Sequence, residues 1–483
     1  MSMRADNTTK RKPPAGGHGL LDAARLAVLL GAHPATGRPA GRPAGRPAAR
    51  LEELSAELPG GRGVAFDSRR VRPGDVFFAL PGASAHGIEH AAAALAGGAA
   101  YVVSDRDPEP GQDAVRSRTL LVTDAAAALK ALGLAARAIL SAPVVAVTGS
   151  AGKTTTKTLV TAALAGRSTP GNLNTVPALV AALVEAALMD AGDIEAAAGP
   201  VNRGALVGPG GPGSPVVLEL GIDRPGEMAE LLAFCRPDHG LVTAIGESHL
   251  SALGDVASVA REKSRLLAEA PGVRLTTPGA AALLPPAVAA RTRVVEARVM
   301  PGGALSHDGH DFVLPWPGRA MAENVALALT LATTLGVDAE IAFERLAAAR
   351  LEPGRLQRRE VGDVHLIDDS YNSNPLSAAL ALEVLLASPG PRVAILGDMR
   401  ELGEVSRQRH LDLGAATRDL DLVIAVGEEA AAMAETNPDV VTVPDDAGAI
   451  ELLARIPAGA TVLVKGSRSL GLERVAAAIE ARG

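Results

Sequence analysis

An apolar run over residues 143–147 leads directly into Val-Thr-Gly-Ser-Ala-Gly-Lys-Thr-Thr-Thr at 147–156, and a helical pattern follows over 155–164. Strand, glycine turn and helix therefore come in the order that a phosphate-holding loop requires. Gly149 and Gly152, with Ser150 and Ala151 between them, let the backbone turn tightly and aim its amides at phosphate oxygens. Lys153 is placed to neutralise β/γ-phosphate charge, the Thr154 hydroxyl to sit on a magnesium ion, and Thr155 to carry the loop into the helix. The spacing departs from the longer GxxxxGK[ST] pattern upstream. An ordinary strand-to-helix turn is the competing reading.

A chain of 483 residues implies about three domains. Nearly half of it (47%) is apolar, yet aromatic residues make up only 2%, so Ala, Leu and Val must do the packing. A net charge of −7 argues against a general nucleic-acid or membrane-surface role. One cysteine, Cys235, excludes an internal disulfide framework and suits a reducing compartment. Lying at the end of the apolar stretch 231–235, it reads as a buried core thiol. No apolar run reaches transmembrane length and no signal peptide precedes the first helix, so the expectation is a cytoplasmic protein.

Residues 1–50 read as a flexible N-terminal region with one short helix at 20–30 and a loop at 37–48 carrying Gly-Arg-Pro-Ala three times. Folded structure resumes near Leu51. β-rich runs at 76–80 and 100–103 flank an Ala-rich helix, giving a small domain over 51–140. A second domain, 141–351, carries the phosphate loop and then alternates: strand 216–218, helix 226–234, strand 240–245. A Gly/Ala/Pro-rich insertion lies at 190–214. From 352 to 483 the alternation restarts with strands at 364–367, 392–396, 422–426 and 461–464, each followed by a helical pattern. Repeated βα units imply largely parallel sheets with ligands at the carboxyl ends of strands.

The strand at 216–218 ends in Glu219, where a nucleotide fold commonly places a magnesium-holding acid. The strand at 240–245 leads to His249, whose neutral imidazole can ligate a cation or position a water. A solvated strand end and a capped loop residue are the bland alternatives.

Several motifs now fall in one order. They include Asp67-Ser68-Arg69, Asn172-Leu173-Asn174, Glu219-Leu220-Gly221, Ile245-Gly246-Glu247-Ser248-His249, Gly354-Arg355-Leu356-Gln357, Asp368-Asp369-Ser370-Tyr371-Asn372-Ser373-Asn374-Pro375, Leu396-Gly397-Asp398-Met399 with Glu401-Leu402-Gly403-Glu404, and Lys465-Gly466-Ser467-Arg468. Together with the phosphate loop they resemble the Mur ligases, from about residue 60 to the end. The C-terminal motifs resemble the branch that adds D-alanyl-D-alanine to UDP-N-acetylmuramoyl-tripeptide.

The resemblance implies an α/β fold of three domains: a small N-terminal α/β domain gripping a UDP-sugar, a central P-loop ATPase-like parallel sheet and a C-terminal Rossmann-like domain. It implies a monomeric ATP- and Mg²⁺-dependent ligase that forms an acyl phosphate and then an amide, acting on small molecules in peptidoglycan precursor synthesis. By the same resemblance Lys153 and Thr154 serve the phosphates and magnesium, while Glu219 and His249 serve the metal. Lys263 matches a lysine that relatives carry as a carbamate; a surface lysine in a salt bridge is the alternative. Asn324 matches a residue facing adenine; a helix cap is its alternative. Arg355 and Asp369 would reach the nucleotide from the C-terminal domain. Ser68, Arg69, Asn172, Asn174, Asn372, Asn374, Lys465, Ser467 and Arg468 would serve the substrates.

Departures from the family pattern occur at 174–177, at His86-Gly87-Ile88, at Ala320 and in the two insertions. They bear on the acceptor more than on ATP chemistry. Two further readings therefore stay open: a carboxylate–amine ligase acting outside the cell wall, and a nucleotide-binding subunit active only with a partner.

Overall fold

The computed structural model describes residues 21–22, 26, 29–31, 33–34, 61–82, 84–193, 205–300 and 304–482. The Gly-Arg-Pro-Ala loop at 37–48 and the resumption of structure near Leu51 lie outside these residues. So do most of the helix expected at 20–30 and the middle of the 190–214 insertion.

The chain divides into two compact units. One comprises Met1–Pro143, Thr175–Val207 and Gly211–Ser214; the other comprises Val144–Asn174, Gly208–Gly210 and Pro215–Gly483.

In the first unit, Gly63–Ala65, Asp75–Ala79, Tyr101–Ser104 and Thr119–Leu121 form a parallel sheet, with His33–Pro34 antiparallel at its edge. Helix Val176–Ala191 packs here against helix Ala125–Ile139. Every residue from Ala178 to Met189 is buried, because Ala, Leu and Val surround the axis with almost no polar face. Pro177 starts this helix and Gly192 ends it at φ 78. Its one carboxylate within that stretch, Glu185, is satisfied by the Ala205 amide at 2.7 Å and Arg72 at 3.4 Å. His86 holds its own turn together. Its Nδ1 accepts from the Ile88 amide (3.1 Å), and its Nε2 lies 2.8 Å from Asp105.

In the second unit, six parallel strands run in the order Arg293–Val294, Arg274–Thr276, His239–Val242, Val144–Thr148, Val216–Glu219, Arg167–Ser168. Val144–Thr148 is fully buried at the centre, which explains its unbroken apolar run. Helix Lys153–Ala163 returns over this sheet and packs Leu159 and Val160 against helix Arg319–Thr334 through Val325 and Leu329. Each such fully buried side chain contributes roughly 1.5–3 kcal/mol. The alternation expected throughout this region breaks at Arg298–Val299, Ala304–His307 and His310–Val313, which form an antiparallel sheet. Its second hairpin turns on Asp308 and Gly309, both at positive φ. The polar run Ser306–Asp311 hid these strands, since only Leu305 and Phe312 face the core.

The C-terminal sheet orders Gln357–Val361, Val364–Asp369, Thr461–Lys465, Arg392–Gly397, Leu422–Val426 and Val441–Val443, parallel except for the first hairpin. Two strands outrun their apolar stretches, to Asp369 and Lys465, which pair in register. The helix expected after Leu422–Val426 is instead the 3₁₀ segment Ala430–Glu435. Cys235 is buried, as expected.

Candidate active site

The turn after Val144–Thr148 is built by contacts that exclude side chains. A Cβ on Gly149 would lie 2.0 Å from Thr243 Oγ1. Gly152 sits at φ 78 as the N-cap of helix Lys153–Ala163, and a Cβ there would meet Asn324 Oδ1 at 2.8 Å. The helix starts two residues earlier than the sequence pattern suggested, so Lys153, Thr154 and Thr155 form its first turn, where free amides collect. Ser150 is pinned from several sides. Its amide donates to Ala244 O (2.7 Å), its hydroxyl to Gly246 O (3.0 Å), and its carbonyl accepts from Asn374 Nδ2 (3.0 Å). The Ala151 carbonyl accepts from Thr243 Oγ1.

Charges gather around this turn. Lys153 Nζ donates to Gly149 O at 2.9 Å. Desolvation pulls its ammonium below the usual lysine range, countered by Glu219 and Asp223. Glu219 is 1% exposed, not a solvated strand end. It accepts from Thr154 Oγ1 at 2.8 Å and from Asn174 Nδ2 at 3.2 Å. Arg355 Nη2 donates to Thr154 Oγ1 at 3.3 Å, and its guanidinium lies 3.9 Å from the centre of the Tyr371 ring. Arg355 Nε is buried without a hydrogen-bond partner. That is an unused donor beside the phosphate loop.

His249 Nδ1 stands 2.5 Å from Glu401 and 3.2 Å from Asp223. Burial holds the imidazole below its usual pKa, with Lys153 and Lys263 pushing the same way. Lys263, on helix Val256–Glu269, is 1% exposed rather than a surface lysine. Desolvation and then Lys153 hold its amine well below the lysine range. Asn324 lies inside helix Arg319–Thr334, whose N-cap is Gly318, so it caps nothing. Its Oδ1 accepts from Thr156 Oγ1 at 3.0 Å, which turns the amide toward the loop.

From the C-terminal sheet, Asp369 Oδ2 accepts from Lys465 Nζ at 2.6 Å and Oδ1 from the Leu356 amide at 3.1 Å. Lys465 also donates to Asn372 O at 2.9 Å. Asn374 caps helix Pro375–Leu386 through a reciprocal bond pair with Ser377. Ser467 Oγ accepts from the Arg400 amide at 2.9 Å, whereas Arg468 pairs with Glu473 at 3.1 Å beside Tyr371. Asn172 is exposed. Ser68 and Arg69 belong to the first unit. There Asp67 caps the turn Ser68–Arg70, and Arg69 holds the Asp67 carboxyl down to about 2.

Four residues beside the site were given no role on sequence, although Tyr371 and Glu401 lie within quoted motifs. Lys157, one turn beyond Lys153, donates to Thr169 O at 2.7 Å and to Gly171 O. Its i+4 spacing was the available signal. Asp223 carried no signal, and the motifs holding Tyr371 and Glu401 did not reveal their partners Arg355 and His249, which come from other segments. Among the described residues no three His, Cys, Asp or Glu side chains gather to hold a metal unaided. The oxygen pair Thr154 and Glu219 nevertheless suits a hard divalent cation that takes its remaining ligands from phosphate and water.

A glycine turn at a helix N-terminus, flanked by buried lysines and facing a second α/β sheet with its own arginine, defines a nucleotide-using enzyme. Comparison with known proteins narrows the class to ATP-dependent, amide-forming ligases. Three family models match: "Mur ligase family, catalytic domain" over 62–137, "Mur ligase middle domain" over 147–275, and "Mur ligase, glutamate ligase domain" over 354–468. The UDP-N-acetylmuramoyl-tripeptide--D-alanyl-D-alanine ligase of Escherichia coli (strain K12) is 30% identical, covering 89% of this chain and 97% of that protein. Its namesake in Mycobacterium tuberculosis (strain ATCC 25618 / H37Rv) is 30% identical, covering 86% and 92%. Among solved structures, MurF from Acinetobacter baumannii matches with TM-score 0.72 at 27% identity, over 86% of this chain and 93% of that one. MurF from Thermotoga maritima in complex with ADP matches with TM-score 0.71 at 26% identity, over 87% and 97%. The chain belongs to the Mur ligase family.

Proposed function

We propose that this enzyme joins D-alanyl-D-alanine to UDP-N-acetylmuramoyl-tripeptide at the expense of ATP. The observation carrying this reading is end-to-end similarity to relatives named for that reaction, combined with the contiguous Lys153–Thr154–Glu219 cluster. The peptide carboxylate attacks the γ-phosphorus, the bond to the β-phosphate oxygen breaks, and ADP leaves. The amine of the dipeptide then attacks the acyl carbon, phosphate departs with the acyl–oxygen bond's electrons, and the nitrogen loses a proton.

Bringing a carboxylate against a triphosphate requires neutralisation, and a desolvated site makes each cation count for more. Lys153 and the loop amides of Gly149, Ser150, Ala151 and Gly152 hold the phosphates, with Thr155 extending the amide cradle. Arg355, its Nε free, reaches them from the C-terminal sheet. Thr154 and Glu219 would hold Mg²⁺ together with His249, and the ion would screen phosphate charge. Asn324 reads adenine, and Asp369 orients Lys465 and the turn at Leu356. Ser68 and Arg69 serve the UDP moiety. Asn172, Asn174, Asn372, Asn374, Ser467 and Arg468 serve the peptide and amine substrates, Asn174 and Asn374 partly by bracing the loop. The enzyme acts in the cytoplasm as a monomer. No helix among the described residues is long and apolar enough to cross a membrane.

A panel of carboxylates and amines, read by phosphate release, tests the substrate assignment. Turnover is expected only with the UDP-muramoyl tripeptide and D-alanyl-D-alanine together. Equal turnover with an unrelated acid–amine pair would transfer the assignment to a ligase outside the cell wall.

Glu219→Ala is expected to raise the Mg²⁺ concentration for half-maximal rate at least about tenfold, as loss of a carboxylate ligand does. An unchanged magnesium titration rejects metal binding at Glu219. Lys263, buried with its amine held well below the lysine range, is suited to add CO₂ through nitrogen and release a proton to water, giving a carbamate anion. Rigorous CO₂ depletion is then expected to lower the rate several-fold, with recovery on adding bicarbonate. A rate indifferent to CO₂ in the wild type rejects the modification.

A further inference from the structure

His249 occupies the left-handed region at φ 54, immediately before helix Leu250–Leu253. Glu401, from the loop after strand Arg392–Gly397 of the C-terminal sheet, sits at φ 67. Two non-glycine residues in this conformation cost roughly 1–3 kcal/mol each and persist only where surroundings hold them. Here they hold each other. The Glu401 carbonyl accepts from the Ser251 amide at 3.1 Å, while its carboxylate lies 2.5 Å from His249 Nδ1.

A carboxylate oxygen and a ring nitrogen this close cannot both present lone pairs, so a proton lies between them. Nδ1 is therefore the donating nitrogen, and a neutral ring so held has its lone pair on Nε2. Asp223, 3.2 Å from the same Nδ1 but 82% exposed, is a looser second acceptor.

We propose that Glu401 is a positioning residue: it sets the Nδ1–H tautomer and the aim of His249, so a loop of the C-terminal sheet completes the central site. The inference rests on the reading of His249 as part of the reaction centre, and it gives the Glu401-Leu402-Gly403-Glu404 motif a physical role. The lone pair at Nε2 is presented correctly only while Glu401 is in place.

The test uses full-length enzyme labelled with ¹⁵N-histidine, with the His249 signals assigned by their loss in His249→Gln. Wild type is expected to show protonated Nδ1 and bare Nε2. Glu401→Ala and Glu401→Gly, each combined with Asp223→Asn, are expected to shift His249 toward the Nε2–H tautomer. They should also lower kcat about tenfold while KM for ATP moves less than about threefold. Glycine accepts φ 67 without strain, so agreement between the two variants isolates the lost carboxylate from backbone effects. Glu401→Gln, which keeps an acceptor, is expected to restore the Nδ1–H signal. An unchanged tautomer in both combined variants, or wild-type behaviour in the glycine variant, overturns the proposal. A shifted tautomer with undiminished ligation overturns it too, by removing the assigned part of His249 while leaving the contact itself intact.

Discussion

Lys153→Ala is expected to lower the rate of ATP-dependent ligation about a thousandfold, the scale seen when a preorganised charge-stabilising group is removed. The neighbouring cations do not take over its place on the loop. Lys157, on the same helix face, directs its ammonium at the carbonyls of Thr169 and Gly171. Arg355 is held against Tyr371 and Thr154. Without Lys153, buried Glu219 would face the incoming triphosphate with its main counter-charge gone, so the loss should appear in kcat as well as in ATP binding. Phosphate release at saturating substrates is the measurement. Retention of more than about a tenth of the wild-type rate would reject the role.

The second large effect concerns stability. Lys465→Met is expected to destabilise the C-terminal sheet by about 3 kcal/mol, because breaking a buried pair leaves a charge without a partner. Lys465 is 2% exposed and donates both to Asp369 and to the Asn372 carbonyl. Methionine keeps the apolar stem packed, so the loss isolates the ammonium. A chain with several domains does not melt as one unit, so the observable should be local. Amide exchange in Val364–Asp369 and Thr461–Lys465 should quicken by roughly two orders of magnitude if these strands open locally. Adding Asp369→Asn should return most of that protection, since a neutral amide no longer needs the ammonium. Unaltered exchange in Lys465→Met would mean that the pair is not what joins these strand ends.

The phosphate loop was legible because its physics is local: glycines, a lysine and a hydroxyl at fixed spacing between a strand and a helix. Parallel strands read as apolar runs for the same reason, since both faces are covered. Reading failed where polar residues enter elements. The antiparallel strands at 298–313 alternate too weakly to signal, and the strands ending in Asp369 and Lys465 outrun their hydrophobic stretches because an ion pair offsets the cost of burying the charges. The metal-site reading of His249 gave no sign of its contact with Glu401, more than 150 residues away. Lys263 illustrates the same limit, since on sequence an amphipathic helix presents a lysine equally well outward or inward.

Local sequence was enough to set most of the parallel strands and their helices and the position of the glycine turn. These follow from backbone sterics and side-chain chemistry within a few residues. Packing in three dimensions selected which charges are buried, which carboxylates stand at His249 Nδ1, and which loops of the C-terminal sheet reach the central site. Those outcomes depend on desolvation and on contacts between residues far apart in the chain, and neither has a local signature.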